Sequence, residues 1–270
     1  TLLPFLNLVA KGFSGESAVI SGRVLFWPLD PTLKTYNYVL QGNTFFNAFK
    51  VSLLITLVGS VSAVVVTAMT AYPLSRSNFR GRKGFLYLWV FIMLFNGGMV
   101  PNYMLYRVLG LMDTMWCLML PGLVSVYNML LIKNYFETLP DSLEEAARID
   151  GASNMRVLFQ IVLPISLPML ATITLFYAVS YWNDYFTAMI YINTEEWYPL
   201  QLRLRELLIA SQMLASMEAT EDVMYAAYMQ RVADLIKYGM IVISTLPVMI
   251  LYPILQKYFV QGVMIGSLKG

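Results

Sequence analysis

Histidine is absent from the 270 residues. With it go the commonest general base and the commonest metal ligand, which weakens any enzymatic reading. There is one cysteine, Cys117, set inside an apolar run, so a disulfide framework is excluded. Charge is scarce too: 13% of residues are charged, against about 25% in an ordinary soluble domain. The formal net charge of +2 offers no broad basic field for nucleic acid. No G-x-x-x-x-G-K-[ST] run occurs, so the common phosphate-cradling loop of an ATPase is missing.

What fills the space is apolar: 58% of residues are hydrophobic, and they fall in long runs. A helix needs about 20 such residues to cross a hydrocarbon core roughly 30 Å thick. Within lipid every backbone amide must be paired inside its own segment, so helices are expected. Five full-length segments are predicted, at Phe46 to Tyr72, Phe85 to Leu105, Met115 to Ile132, Ile165 to Ile192 and Tyr238 to Tyr258. The opening stretch, Leu2 to Ala10, is apolar but short, and is expected to be a truncated first helix. Residues 14–44, with Pro28 and Pro31, read as an external loop, and 199–234 as an amphipathic helix that lies at the outer interface or plugs a vestibule.

Orientation rests on one basic loop. Arg76, Arg80, Arg82 and Lys83 cluster between the second and third segments, whereas the next loop holds only Arg107. The positive-inside rule places the first loop in the cytoplasm, and with it residues 133–164 and the C-terminus. Lys50, near the outer start of the second segment, is expected to snorkel.

Residues 139–164 read as helix, glycine, helix. Pro140 stops the fourth segment from continuing. Ser142 and Glu145 have the spacing of a capping box. Leu143, Ala146, Ala147 and Asp150 fall on one helical face, small enough to let another backbone approach. Gly151 suits a left-handed helix terminus, and Ser153 can cap the next helix, which stops near Pro164. That apolar face needs cover, either from its own bundle or from a partner.

The residues Glu145-Ala146-Ala147, then Gly151, then Ile161-Val162-Leu163-Pro164 resemble the EAA motif of binding-protein-dependent ABC importer permeases. Every fixed position and spacing of that pattern is present. The ending, Tyr258 to Gly262 followed by Gly266 and Gly270, is similar to the MalG-like, carbohydrate-type permeases, and within them to the LplC branch. That branch imports oligosaccharides, including acidic ones such as oligogalacturonides or alginate. The resemblance implies an all-α integral membrane protein: one permease domain over 1–270, a type I six-helix bundle with a cytoplasmic coupling helix in the bacterial inner membrane. Ser142, Glu145, Ala146, Ala147, Asp150, Gly151, Ser153, Ile161, Leu163 and Pro164 would then dock an ATPase, Glu145 pairing with a basic residue there. Gly262 and Gly266 would let the C-terminal tail approach the ATPase pair closely.

The implied partners are a MalF-like permease subunit, two nucleotide-binding ATPase subunits, an external solute-binding protein, an oligosaccharide and membrane lipid, but no nucleic acid. The chain itself would bind no cofactor and catalyse nothing, ATP and Mg belonging to the ATPase subunits. Late in the fifth segment, Tyr177, Tyr181, Trp182, Asn183, Asp184 and Tyr185 combine aromatic faces, an amide and a carboxylate, the groups that recognise sugars. They read either as a substrate path or as an interfacial aromatic belt. The rival function is a secondary transporter or channel, which would carry coupling-ion carboxylates at mid-membrane. A membrane-bound enzyme lacks support in the absence of histidine and of paired carboxylates.

Overall fold

The computed structural model describes residues 2–40, 43–216, 236–251 and 253, and all regular structure among them is helical. The predicted tail, Tyr258 to Gly270, and all of 217–234 lie outside the described residues. The chain clusters into two units, one from 1–53 and 183–250, the other from 54–182 and 251–270. Both cuts near the middle of the chain fall inside helices.

In the first unit, α1 (Leu2–Gly12) is followed by α2 (Glu16–Ile20) and α3 (Lys34–Leu40). The segment expected as a plain loop therefore carries two short helices. Ser14, fully buried, stabilises it by donating to the Ala10 carbonyl at 2.6 Å and accepting from the Leu29 amide at 3.0 Å. That double use of one hydroxyl was invisible in a stretch chosen for its turn formers.

The longest helix among the described residues, α4 (Asn43–Ser75), has 33 residues, contains an 18-residue window of mean hydropathy 2.2, and by itself suffices to cross a membrane. Three of the other predicted spans are bent. The third is α5 (Arg82–Leu94) and α6 (Met99–Val108), bent by 110° at Asn96-Gly97-Gly98. Gly98 sits at φ +89°, where a side chain is disfavoured. The fourth is α7 (Trp116–Met119), a 3₁₀ turn at Leu120–Gly122 and α8 (Val126–Phe136), bent by 49°. Pro121 lacks the amide proton that continuation would require.

After the loop helix α9 (Asp141–Ile149) come α10 (Asn154–Val157), a π-turn at Leu158–Val162 and α11 (Leu163–Ile165). Pro164 cannot donate to the carbonyl four residues back and its ring crowds that turn, so the helix widens into π geometry before it. The chain then swings by 87° into α12 (Leu167–Asn183). The fifth span thus ends at Asn183, short of the expected Ile192, and α13 (Phe186–Tyr191) is separate. The Asp184 carboxylate breaks the run by accepting from the Thr187 amide at 3.1 Å, a local cap that competes with helix continuation.

The first unit closes with α14 (Leu200–Ser216) and α15 (Ile236–Leu251), the described part of the sixth span. In α14, Leu200, Leu202 and Leu204 are buried while Arg205 and Glu206 are exposed. Arg203 binds Glu195 at 2.7 Å and Glu206 at 3.0 Å. Burial pulls the Arg203 pKa down, and the bonds to the two carboxylates together push it up by more, to above its ordinary value. Close approach explains Gly239 in α15: a Cβ there would meet the Thr35 side chain at 2.7 Å.

Candidate functional site

The loop between the fourth and fifth spans is built by local rules. Pro140, at φ −62° and ψ 130°, occupies the capping position, and no side chain caps the helix. The expected capping box of Ser142 and Glu145 is absent. Proline's fixed φ starts the helix two residues earlier than expected, so Ser142 falls inside α9 rather than at its cap. Asp141 and Glu144 in the first turn and Arg148 in the last complement the helix dipole.

The C-terminus of α9 follows the sequence reading. Gly151 sits at φ +77°, its amide donates to the Arg148 carbonyl at 3.0 Å, and the Ala152 amide reaches Ala147 at 2.9 Å. These two bonds form a Schellman terminus. Two residues on, Ser153 caps α10 by accepting from the Arg156 amide at 3.4 Å. Ile161 and Leu163 are half-buried and Pro164 is exposed where the loop bends toward the span.

The faces of α9 differ from expectation in one respect. Ala147 and Glu144 turn inward, while Leu143, Glu145, Ala146, Ile149 and Asp150 are exposed. Ile149 is 86% exposed. Ala147 thus packs on its own chain, at the border of the face the spacing had assigned to a partner. The exposed remainder is an apolar strip rimmed by carboxylates.

Glu144 was not singled out by sequence reasoning, since its neighbour Glu145 carries the motif. It is 8% exposed, forms an ion pair with Arg76 and accepts from the Tyr72 hydroxyl at 3.2 Å. Arg76 also donates to the Phe136 carbonyl at 3.3 Å and lies over the Tyr72 ring at 5.1 Å. Three elements therefore meet here: the end of α4, the end of α8 and the loop helix α9. Beside them a cleft of about 470 Å³ is lined by Asn78, Arg82, Glu137, Asp141, Glu145 and Arg148, among others.

The aromatic cluster at the end of α12 separates into two roles. Tyr177 and Tyr181 are buried and bind the break in the fourth span. The Ser125 amide donates to Tyr177 Oη at 2.9 Å, and Tyr177 Oη lies 2.7 Å from Thr67 Oγ1. Thr67 donates to the Leu123 carbonyl at 3.2 Å, so its hydroxyl proton is committed and Tyr177 is the donor to Thr67. Tyr181 donates to the Met119 carbonyl at 2.8 Å, and its ring lies against Gly59 and Gly122. Added Cβ atoms would meet it at 3.1 Å and 2.7 Å respectively. These phenols satisfy backbone groups that the break releases, a need that neither the sugar reading nor the interfacial belt addressed.

Trp182 is buried at the end of the same helix. Asn183 is exposed and Asp184 half-buried at the cap of α13. Tyr185 is half-buried, with the Arg205 guanidinium 5.7 Å from its ring centroid.

The family model for the binding-protein-dependent transport system inner membrane component matches residues 17–265. The chain belongs to this family. As a permease it is 43% identical over 270 residues to Protein LplC of Bacillus subtilis (strain 168), covering 100% of this chain and 90% of that protein. It is 38% identical over 269 residues to the polygalacturonan/rhamnogalacturonan transport system permease protein YtcP of the same organism, covering 100% and 93%. In structure it matches a chain of a bacterial ABC transporter involved in the import of the acidic polysaccharide alginate. The TM-score is 0.85 at 34% identity, over 96% of this chain and 90% of the other. The all-helical permease fold and the likeness to the LplC-like branch expected from the sequence both hold.

Within the permease, MalG-like resemblance had drawn attention to short motifs, and the side chains that organise it lie elsewhere. Glu144, Arg76, Tyr72 and Thr67 were missed because their partners are far away in sequence. The one available signal was a polar residue inside an apolar run: Thr67 and Tyr72 both sit in α4.

Proposed function

We propose that this permease is the membrane-spanning half-path of an ATP-driven importer for oligosaccharides, and that α9 is its coupling helix. The observation that carries the reading is the outer face of α9. Leu143, Ala146 and Ile149 stand exposed on a helix whose far end is locked by the Gly151 turn, with Glu145 and Asp150 alongside. Exposed apolar side chains on a short, rigid, carboxylate-rimmed helix suit a cleft on a separate subunit. Glu145 would meet a basic group there. Ser142 and Ser153 would act by shaping the loop's surface and its second helix, and Ile161, Leu163 and Pro164 by setting the bend into the span.

Two nucleotide-binding ATPase subunits, carrying ATP and Mg, would grip this loop and the corresponding one of a MalF-like permease partner. A solute-binding protein would deliver sugar to the outer face in the inner membrane of a bacterium. ATP binding would turn the cavity outward, and hydrolysis would return it. Such a cycle demands contacts that differ between the two states, because equal contacts shift no equilibrium. The relatives support the substrate class: one is named for polygalacturonan/rhamnogalacturonan transport, and the solved neighbour for import of the acidic polysaccharide alginate. Fragments of an acidic polysaccharide are the proposed cargo, with Asn183, Asp184 and Tyr185 as candidate contacts.

The test is reconstitution of the whole complex with its binding protein in nanodiscs. ATP hydrolysis is measured with di- and trigalacturonate, alginate oligomers and neutral galacto- and arabino-oligosaccharides. Stimulation by an acidic series supports the assignment. Stimulation by neutral sugars alone removes the substrate class, and uptake driven by an ion gradient without ATP removes the mechanism.

A further inference from the structure

Force delivered to α9 is useful only if α9 is fastened to a span. Gly151 gives the helix a defined end, yet the Gly151–Ser153 turn is a single-strand connection to α10. On the other side, Thr138 to Pro140 form a short link to α8. Neither backbone link reaches α4, which among the described residues is the one helix long and apolar enough to cross the bilayer without a break.

We propose that Glu144 and Arg76 form the joint through which α9 moves α4, which deepens the coupling reading given above. The geometry is specific to such a role. The Glu144 carboxylate points inward from α9, opposite to Glu145, and is held by the Tyr72 hydroxyl in the last turn of α4 and by the ion pair with Arg76, the residue directly after that helix. Arg76 is itself anchored on the Phe136 carbonyl at 3.3 Å and lies over Tyr72, whose ring makes an edge contact with Phe136 at 6.4 Å. Side-chain exposures of 16% for Arg76 and 10% for Glu144 keep water from competing with the pair. A second ion cluster repeats the arrangement on α5: Arg82 pairs with Glu137, which Lys133 also binds at 2.8 Å. The two adjacent glutamates of the motif region thus divide the work, Glu145 facing outward to the motor and Glu144 inward to the bundle. Glu144 and Arg76 are positioning residues in this scheme, acting through α4 and touching no nucleotide or sugar.

The experiment uses the full complex with Cys117 replaced by Ala and spin labels at Val61→Cys on α4 and Asp141→Cys at the start of α9, away from the docking face. Distance distributions are recorded without nucleotide and with ATP and vanadate. In the unaltered joint the two distributions coincide, because α9 and α4 move as one body. Glu144→Gln and Arg76→Gln should each broaden or shift the ATP-trapped distribution. They should also lower binding-protein-stimulated ATP hydrolysis about 5- to 150-fold, the span of ordinary coupling energies. The exchange pair Arg76→Glu with Glu144→Arg should restore both readouts. Single variants that keep the parental distances in both states overturn the joint while leaving the coupling helix standing. Loss of ATPase subunits from the single variants, unrepaired by the exchange, makes Glu144 a docking or folding residue and overturns it also. Failure of the parent permease to bind ATPase subunits at all removes the coupling reading, and the joint with it.

Discussion

The hydroxyl chain across the broken fourth span makes a quantitative prediction. Tyr177→Phe removes one oxygen and leaves the ring's packing unchanged. The Ser125 amide then loses the acceptor it holds at 2.9 Å, and Thr67 loses its donor but keeps its own bond to the Leu123 carbonyl. One buried amide left unsatisfied costs about 1–3 kcal/mol. The cost falls on the break itself, since both bonds the hydroxyl makes, to Ser125 and to Thr67, lie there. Hydrogen exchange read at Ser125 in the purified complex should therefore accelerate about 5- to 150-fold, at about 1.4 kcal/mol per factor of ten. Met119, held independently by Tyr181, lies on the other side of the break and serves as the internal control. Thr67→Val leaves the Ser125 amide its acceptor on Tyr177 and should therefore raise exchange there much less than Tyr177→Phe. Equal acceleration on both sides of the break would show general loosening and defeat the argument, as would unchanged exchange at Ser125.

Gly122→Ala should lower the melting temperature of the complex by overpacking, at a cost of about 1–3 kcal/mol, since its Cβ would lie 2.7 Å from Tyr181 Oη. Pairing it with Tyr181→Phe should recover part of that loss in the same melt. Gly151→Ala meets no steric obstacle, nothing lying within 4 Å of the added carbon. Its cost is the left-handed backbone alone, about 1–2 kcal/mol; Gly151→Asn should cost less, and faster exchange at the Ala152 amide would register both. Ile149→Asp and Glu145→Lys should leave the permease inserted and α9 folded, while co-purification of ATPase subunits drops; normal co-purification with both would remove α9 as the docking helix.

Several features were legible because they depend on one residue and its immediate neighbours. Shortage of charge and long apolar runs place the chain in lipid whatever its tertiary arrangement, since the solvent itself selects them. The Gly151 turn and the Ser153 cap follow from φ preference and a hydroxyl's reach, which act over three or four residues. Where local rules competed, the outcome was less readable: Pro140 pre-empted Ser142 as the start of α9. Glu144 and Glu145 are chemically identical neighbours, and only their approach to Arg76 and Tyr72 tells them apart. Tyr177 and Tyr181 suited either a sugar path or an interfacial belt, because aromatic side chains serve both. Their actual partners, at positions 67, 125 and 119, became visible only when the break in the fourth span was folded against α12. A broken helix exposes backbone groups at a place set by packing, and the side chains that satisfy them come from whichever helix that packing brings near.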